Sequence, residues 1–375
     1  MQLPVPTVRP DAVEHYAALL HAHAFPAEAL CLTAVRGLSV DEALHRFDGV
    51  PAGREITLAV AGQISVNAYP DDLAVVVADH RDGWTLLAED NGSHGAKPRV
   101  LARLSSGTVA ASVYWNVNLA SRATLAQDGR VLAAFDFVTG RPPEGEAPEA
   151  IGRFLDDLDF DDPYRKCAEA LAFLERVSGV RVTEDWSVQS HTASVIVDPA
   201  RFEMSSSWLL INAPDIAAAI PETNRQNLRT LIALAATRAC EAAGVDDPAV
   251  LGTLADNADS LPALERIQRR DQIAARAHQD YRDGLELRWN RCQPPDTRLD
   301  ARARLRAAAR RRNADTSQER ALCARAHALA AVCSHLADDP VDALARAMFN
   351  ACWANRNNWP AMREELTTHL LAGGA

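Results

Sequence analysis

Lysine is nearly missing from this chain: of its 39 Lys/Arg residues only Lys97 and Lys166 are lysines. Alongside abundant alanine and arginine, that bias speaks of a GC-rich genome before it speaks of function. No apolar run reaches the roughly 20 residues that a membrane-crossing helix needs, which argues against a membrane partner. The opening MQLPVPTVRPD has no basic stretch followed by an apolar one. No secretory signal is therefore expected, and the cytoplasm is the expected compartment.

Cysteine is present but never as Cys-x-x-Cys. The seven cysteines are Cys31, Cys167, Cys240, Cys292, Cys323, Cys333 and Cys352. A scattered, odd set of this kind reads as reduced thiols that fill apolar space. Cys323, His327, Cys333 and His335 come nearest to a metal motif. At about 100° per residue, however, Cys333 and His335 turn away from the face shared by Cys323 and His327. Asp157, Asp159 and Asp161 alternate as in a calcium loop, but the positions that need Gly and Glu hold Asp162 and Ala168. Neither a metal nor a cofactor is expected.

The usual signatures of catalysis are missing too. There is no G-x-x-x-x-G-K, G-x-G-x-x-G, His-Glu-x-x-His or G-x-S-x-G, which lowers the expectation of an enzyme without removing it.

What is present divides near residue 215. Residues 1–215 carry 17 Lys/Arg and 30 Asp/Glu, a balance of −13; residues 216–375 carry 22 and 20, a balance of +2. The acidic first part disfavours nucleic acid lying on it. The first part also holds nearly all strand patterns: 29–35, 73–80, 84–90, 108–118 and 131–137. Asp82-Gly83 and Asp128-Gly129 read as hairpin turns. The run 56–66 is strand-like but interrupted by Gly62, and 180–188 and 192–198 suggest edge strands. Ser39 with Glu42 predicts a capping box, and a helix is expected from Asp162-Pro163 to Gly179. The second part is punctuated only as helices, by Thr223, Gly244, Asp247-Pro248, Ser260, Thr316 with Glu319, Asp339-Pro340 and Trp359-Pro360. The predicted organisation is an α+β domain with an antiparallel sheet over 1–215, followed by an all-α domain over 216–375.

The candidate binding residues sit in the first domain. Read as one strand, 108–118 places Tyr114, Asn116 and Asn118, with Arg122, on one face, opposite Val113, Trp115, Val117 and Leu119. Two asparagines on a strand face ask for a reason. They either present a recognition surface or brace a loop such as 89–95, and the bracing role is the commoner one. Trp84, Glu89, Asn91 and His94 belong to that loop and the strand before it, and Gly92 is expected at positive φ. In the second domain Arg302, Arg306 and Arg310 form a stripe on an Arg-rich helix over 298–312. A solvated face, or one docked on the acidic segment Asp156 to Asp162, is the expected role of that stripe.

Taken together, CLTAVRGLSVDEAL (31–44), GWTLLAEDNGSHG (83–95), LARLSSGTVAASVYWNVN (101–118) and DGRVLAAFDF (128–137) resemble an actinobacterial family of uncharacterised proteins, over residues 14 to about 200. The Trp-x-x-x-x-Glu-x-Asn-Gly block from Trp84 to Gly92 is its most specific part. The resemblance implies an actinobacterial, cytoplasmic origin and carries no catalytic residue or cofactor. The leading expectation is a non-catalytic module that binds another protein, in a bacterial conflict or stress system. One rival is an enzyme with its site assembled from Glu89, His94 and the Asn116/Asn118 face. The other is nucleic-acid binding through the Arg-rich helix.

Overall fold

The computed structural model describes residues 2–203, 207–294 and 301–372. The chain divides into two compact units: Met1–Val197 with Cys292–Arg304, and Asp198–Arg291 with Leu305–Ala375.

The first unit runs α1 (Ala12–His21), β1 (Leu30–Arg36), α2 (Val40–Arg46), β2 (Gly49–Ile56), α3 (Leu58–Ala68), β3 (Val75–Arg81), β4 (Trp84–Asp90), α4 (Pro98–Leu104), β5 (Val109–Trp115), β6 (Ser121–Gln127), β7 (Arg130–Phe135), α5 (Gly152–Leu155), α6 (Lys166–Ser178), α7 (Glu184–Val188) and β8 (His191–Ile196). All eight strands join one antiparallel sheet, in the order β2-β8-β3-β4-β1-β5-β6-β7. The two hairpin turns are as expected. Asp82 and Gly83 both have positive φ, 51° and 78°, as do Asp128 and Gly129, 50° and 80°. That geometry follows the right-handed twist of the strands it joins.

Several boundaries differ from the expectation, each for a visible reason. Residues 58–68 form a helix: Thr57 accepts the Val60 N–H at 3.2 Å and starts α3, and Gly62 is needed because Asp90 approaches it. The segment 192–198 supplies most of β8, which lies inside the sheet between β2 and β3 rather than at an edge. Residues 184–188 form α7, capped by Thr183. The edge strand β2 was not legible, because Pro51 and Gly53 are poor strand residues that an edge tolerates. At the opposite edge, β7 is covered by residues 144–147, with Ala134 and Glu144 exchanging two backbone hydrogen bonds of 2.8 Å. Ser39 caps α2, but Glu42 pairs with Arg46 instead of closing a capping box.

The central strands are covered on both faces. On one, Val35, Leu87, Ala110 and Ala126 pack with Ala43, Leu44 and Phe47 and with Val100, Leu101 and Leu104 of α4. The alternate residues Leu32, Ala34, Leu86, Ala111 and Val113 are equally buried, and α6 packs on β1 and β5. A buried carboxylate fastens the chain's beginning to α6. Glu175 accepts from Arg9 and from the Tyr16 hydroxyl, both at 2.7 Å, and from Arg181. α6 starts at Lys166, later than Asp162-Pro163 suggests, and ends at Gly179 in the left-handed conformation.

The remaining elements are helices: α8 (Ser207–Asn212), α9 (Pro214–Ala219), α10 (Arg225–Ala243), α11 (Pro248–Ala255), α12 (Ala263–Cys292), α13 (Ala301–Arg312), α14 (Ser317–His335), α15 (Pro340–Ala354) and α16 (Trp359–Ala372). They make up the second unit, except that Cys292 and the first four residues of α13 are grouped with the first. α10, α14 and α15 pack on one another. Asn224 rather than Thr223 caps α10, and Asp247 and Asp339 cap as expected. Thr316 makes no side-chain cap. Its expected partner Glu319 is buried, accepting from Arg288 at 2.6 Å and Arg291 at 2.9 Å. The expected start of the Arg-rich helix at Asp296 or Asp300, and Arg298 with it, lie outside the described residues. Among the described residues no helix is long and apolar enough to cross a membrane.

Candidate functional site

Antiparallel register places Glu89 of β4 opposite Cys31 of β1, Cys31 opposite Tyr114 of β5, and Tyr114 opposite Arg122 of β6. The four side chains thus form one row across the sheet, because directly paired residues share a face. The next row on that face holds Leu87, Thr33, Ser112 and Thr124, of which three are polar. Strands covered on both sides ordinarily carry apolar side chains, so this polar corner is a departure that calls for partners.

The partners come from the loop after β4. Glu89 is 1% exposed, and its carboxylate accepts the backbone N–H groups of His94 at 3.1 Å and Gly95 at 2.8 Å. Burial pushes its pKa up, against the pull of those two donors. Gly95 lies directly on the sheet: a Cβ there would collide with Thr33 Oγ1 and stand 3.1 Å from Cys31 Sγ. The expected positive φ falls on Asn91, at 57°, and not on Gly92. Gly92 is required for room, since a Cβ would come within 2.5 Å of Glu89 Cβ. Asp90, on the opposite face, approaches Gly62 of α3, and burial raises its pKa to about 6.

Cys31 is fully buried, 3.7 Å from Ser112 Oγ, which also accepts from Thr33 Oγ1 at 3.1 Å. Burial pushes the Cys31 thiol well above its ordinary value. A sealed neutral thiol fills space and is a poor nucleophile. His94, 4% exposed, shares the Asp48 carboxylate with Arg103, its Nε2 lying 3.0 Å from Oδ2. Desolvation would raise the Asp48 pKa, but the bonds from His94 and Arg103 hold it below the ordinary value. Asp48 itself has φ 59°. Through it the loop is tied to the turn between α2 and β2.

The polar strand face is only partly as expected. Tyr114 and Arg122 share it, but β5 ends at Trp115, and Asn116 and Asn118 lie in the turn to β6. Asn116 Oδ1 accepts the N–H groups of Asn118 at 2.9 Å and Ala120 at 3.1 Å, while its Nδ2 donates to the Tyr114 hydroxyl at 2.6 Å. The amide braces its own turn, not the 89–95 loop. An asparagine bonding the backbone two residues on is a turn signal, and Asn116-x-Asn118 could have been read so. Val117 and Leu119 consequently leave the face assigned to them and stand 64% and 70% exposed, with Leu119 at φ 62°. Arg122 pairs with Glu144 at 3.1 Å. Trp84 lies on the opposite face from Glu89, buried, as strand alternation requires. Burial raises the Tyr114 pKa, and the neighbouring Cys31 and Glu89 add to it.

Chemistry elsewhere is also spent internally. His327 Nδ1 lies 2.8 Å from Asn350 Oδ1 and its ring stacks on Trp353; His335 reaches the Asp256 carbonyl, and Cys333 the Arg270 carbonyl. Asp159 and Asp162 accept the N–H groups of Asp161 and Tyr164, as turn residues do. A groove of about 830 Å³, lined by Gln2 to Val5, Arg36, Arg46 and Thr108, opens at the other end of β1 and β5 from the polar row. Its Arg46 bonds the carbonyls of Arg103, Leu104 and Ser106 and so closes the C-terminal end of α4.

Residues 14–199 match a family model described as "Family of unknown function (DUF6461)". No curated protein and no solved structure matches the chain.

Proposed function

We propose that the DUF6461 domain of this chain is a non-catalytic protein-binding module that presents the turn between β5 and β6 to its partner. The observation that carries this reading is the display of Val117 and Leu119 on a turn cross-braced by Asn116. Single exposed apolar residues are ordinary. Two of them, two residues apart on a pinned turn, form a small rigid anchor, and rigidity lowers the ordering cost of association. Leu119 also holds a left-handed backbone that costs a bulky residue about 1–2 kcal/mol. An asparagine or glycine would serve the turn better, so the leucine side chain answers to something other than the turn's own stability.

The titratable groups nearby weigh against catalysis as the main role. Glu89 and His94 are closed off from solvent and occupied with holding the loop. The cytoplasm of an actinobacterium is the setting we favour, supported by the dispersed cysteines and the dominance of arginine over lysine; a conflict or stress system within it rests on analogy with other compact α+β binders alone.

The test compares the wild-type chain with Val117→Ser/Leu119→Asn, both immobilised and exposed to one actinobacterial lysate. Asparagine tolerates positive φ, so melting should be unchanged or slightly improved. Proteins retained by the wild type should be depleted on the variant, and residues 116–120 should gain hydrogen-exchange protection when such a protein is added back. Equal retention by both chains would refute the role of the turn.

A further inference from the structure

We infer that α13 is a docking element for the phosphate backbone of duplex DNA. Its sequence, ARARLRAAARRR, holds six arginines and no carboxylate in 12 residues. Arg302, Arg304, Arg306 and Arg310 are all exposed, and among the described residues none of the four forms an ion pair or a hydrogen bond. Several surface arginines elsewhere are paired instead. Arg46, Arg165, Arg225 and Arg238 each meet a carboxylate at 2.5–2.8 Å.

The charge is arranged around the helix. At about 100° per residue, Arg302, Arg306 and Arg310 cover an arc of roughly 80°, and Arg304 and Arg311 project from the opposite side. Like charges four residues apart destabilise an isolated helix, a cost that a polyanion would reverse. The arrangement also discriminates between polyanions. A helix lying on an anionic membrane needs a broad apolar face, and α13 has one bulky apolar residue, Leu305, 71% exposed. A helix in the major groove of B-form DNA has phosphates on both sides and needs no apolar face. The deep, narrow major groove of double-stranded RNA does not admit it. The chain as a whole carries −11. Binding should therefore be weak and strongly salt-dependent, the cations of α13 acting within a Debye length of roughly 10 Å.

The experiment titrates the full chain into a labelled duplex of arbitrary sequence, about two helical turns long, and follows anisotropy between about 50 and 200 mM salt. Wild type should bind saturably at the lowest salt, with log affinity falling linearly in log salt. Arg302→Gln/Arg306→Gln/Arg310→Gln should flatten that slope by about 2.7, from about 0.9 per phosphate contact. The triple Arg→Lys variant should keep the slope, since lysine supplies the same charge; this separates lost contacts from a lost helix. Arg225→Gln/Arg238→Gln, removing two arginines that are already paired, should leave it unchanged. No binding at the lowest salt, or a wild-type slope in the triple Gln variant, would overturn the assignment. So would retention on phosphatidylserine vesicles in place of the duplex.

Discussion

The side chain of Glu89 occupies the space that a side chain at residue 92 would need: a Cβ on Gly92 would stand 2.5 Å from Glu89 Cβ and 2.9 Å from its carboxyl carbon. The close approach follows from the carboxylate turning back beneath its own loop to take the His94 and Gly95 N–H groups. Glycine at 92 and the acid at 89 are thus one device.

Gly92→Ala should destabilise the first unit by about 1–3 kcal/mol, through crowding in a packed site rather than through an unfavourable φ. Glu89→Ala should also destabilise it, since two loop N–H groups lose their acceptor. In the double variant the combined loss should fall short of the sum of the two, because the carboxyl oxygen that the added methyl strikes has gone, while only the contact with the Cβ of residue 89 stays. Strict additivity in urea unfolding would show that the two residues do not share this space.

Asn116→Ala should cost about 1 kcal/mol, because two backbone N–H groups of the turn lose their acceptor. Asn118→Thr should leave stability nearly unchanged, since only the backbone N–H of Asn118 takes part in the bracing. Thermal melting of the two single variants distinguishes them. Equal losses would mean that the turn is held otherwise.

His327 predicts a pH dependence in the second unit. Burial lowers its pKa from an ordinary 6.5 to about 3, despite the hydrogen bond to Asn350. The unfolded chain therefore binds a proton that the folded chain refuses as pH falls through 6.5. Stability should drop between about pH 6.5 and 3, by up to roughly 1.4 kcal/mol per pH unit from this group, and recover on return to neutral pH. His327→Gln should flatten that part of the profile. An unchanged slope of urea midpoint against pH, from about 4 to 6.5, would assign the acid sensitivity to other groups.

Local rules carried much of the fold. Asp82-Gly83 and Asp128-Gly129 can make only a few turns cheaply, and each joins two runs of strand length. Gly179 and Gly244 ended helices because glycine reaches the left-handed conformation at no steric cost. The division between a sheet-bearing part and a helical part is local in the same sense, since the periods of about 2 and 3.6 are written in the order of residues. Strand order is not. β8 enters between β2 and β3 from the far end of the unit's sequence, and no local signal records that choice.

The candidate site divides along the same line. The sequence marks Glu89, Asn91, His94 and Tyr114 as unusual for their places, and it brings Asn116 into view by its poor fit to a strand. Only the tertiary structure puts Cys31 between Glu89 and Tyr114, gives His94 to Asp48, and turns Asn116 back onto its own turn, so that Val117 and Leu119 face outward. The physical reason is range. Propensity and period act over a few residues, whereas a hydrogen-bond partner or the loss of solvent is set by whatever segment folding delivers to the same place, from any distance along the chain.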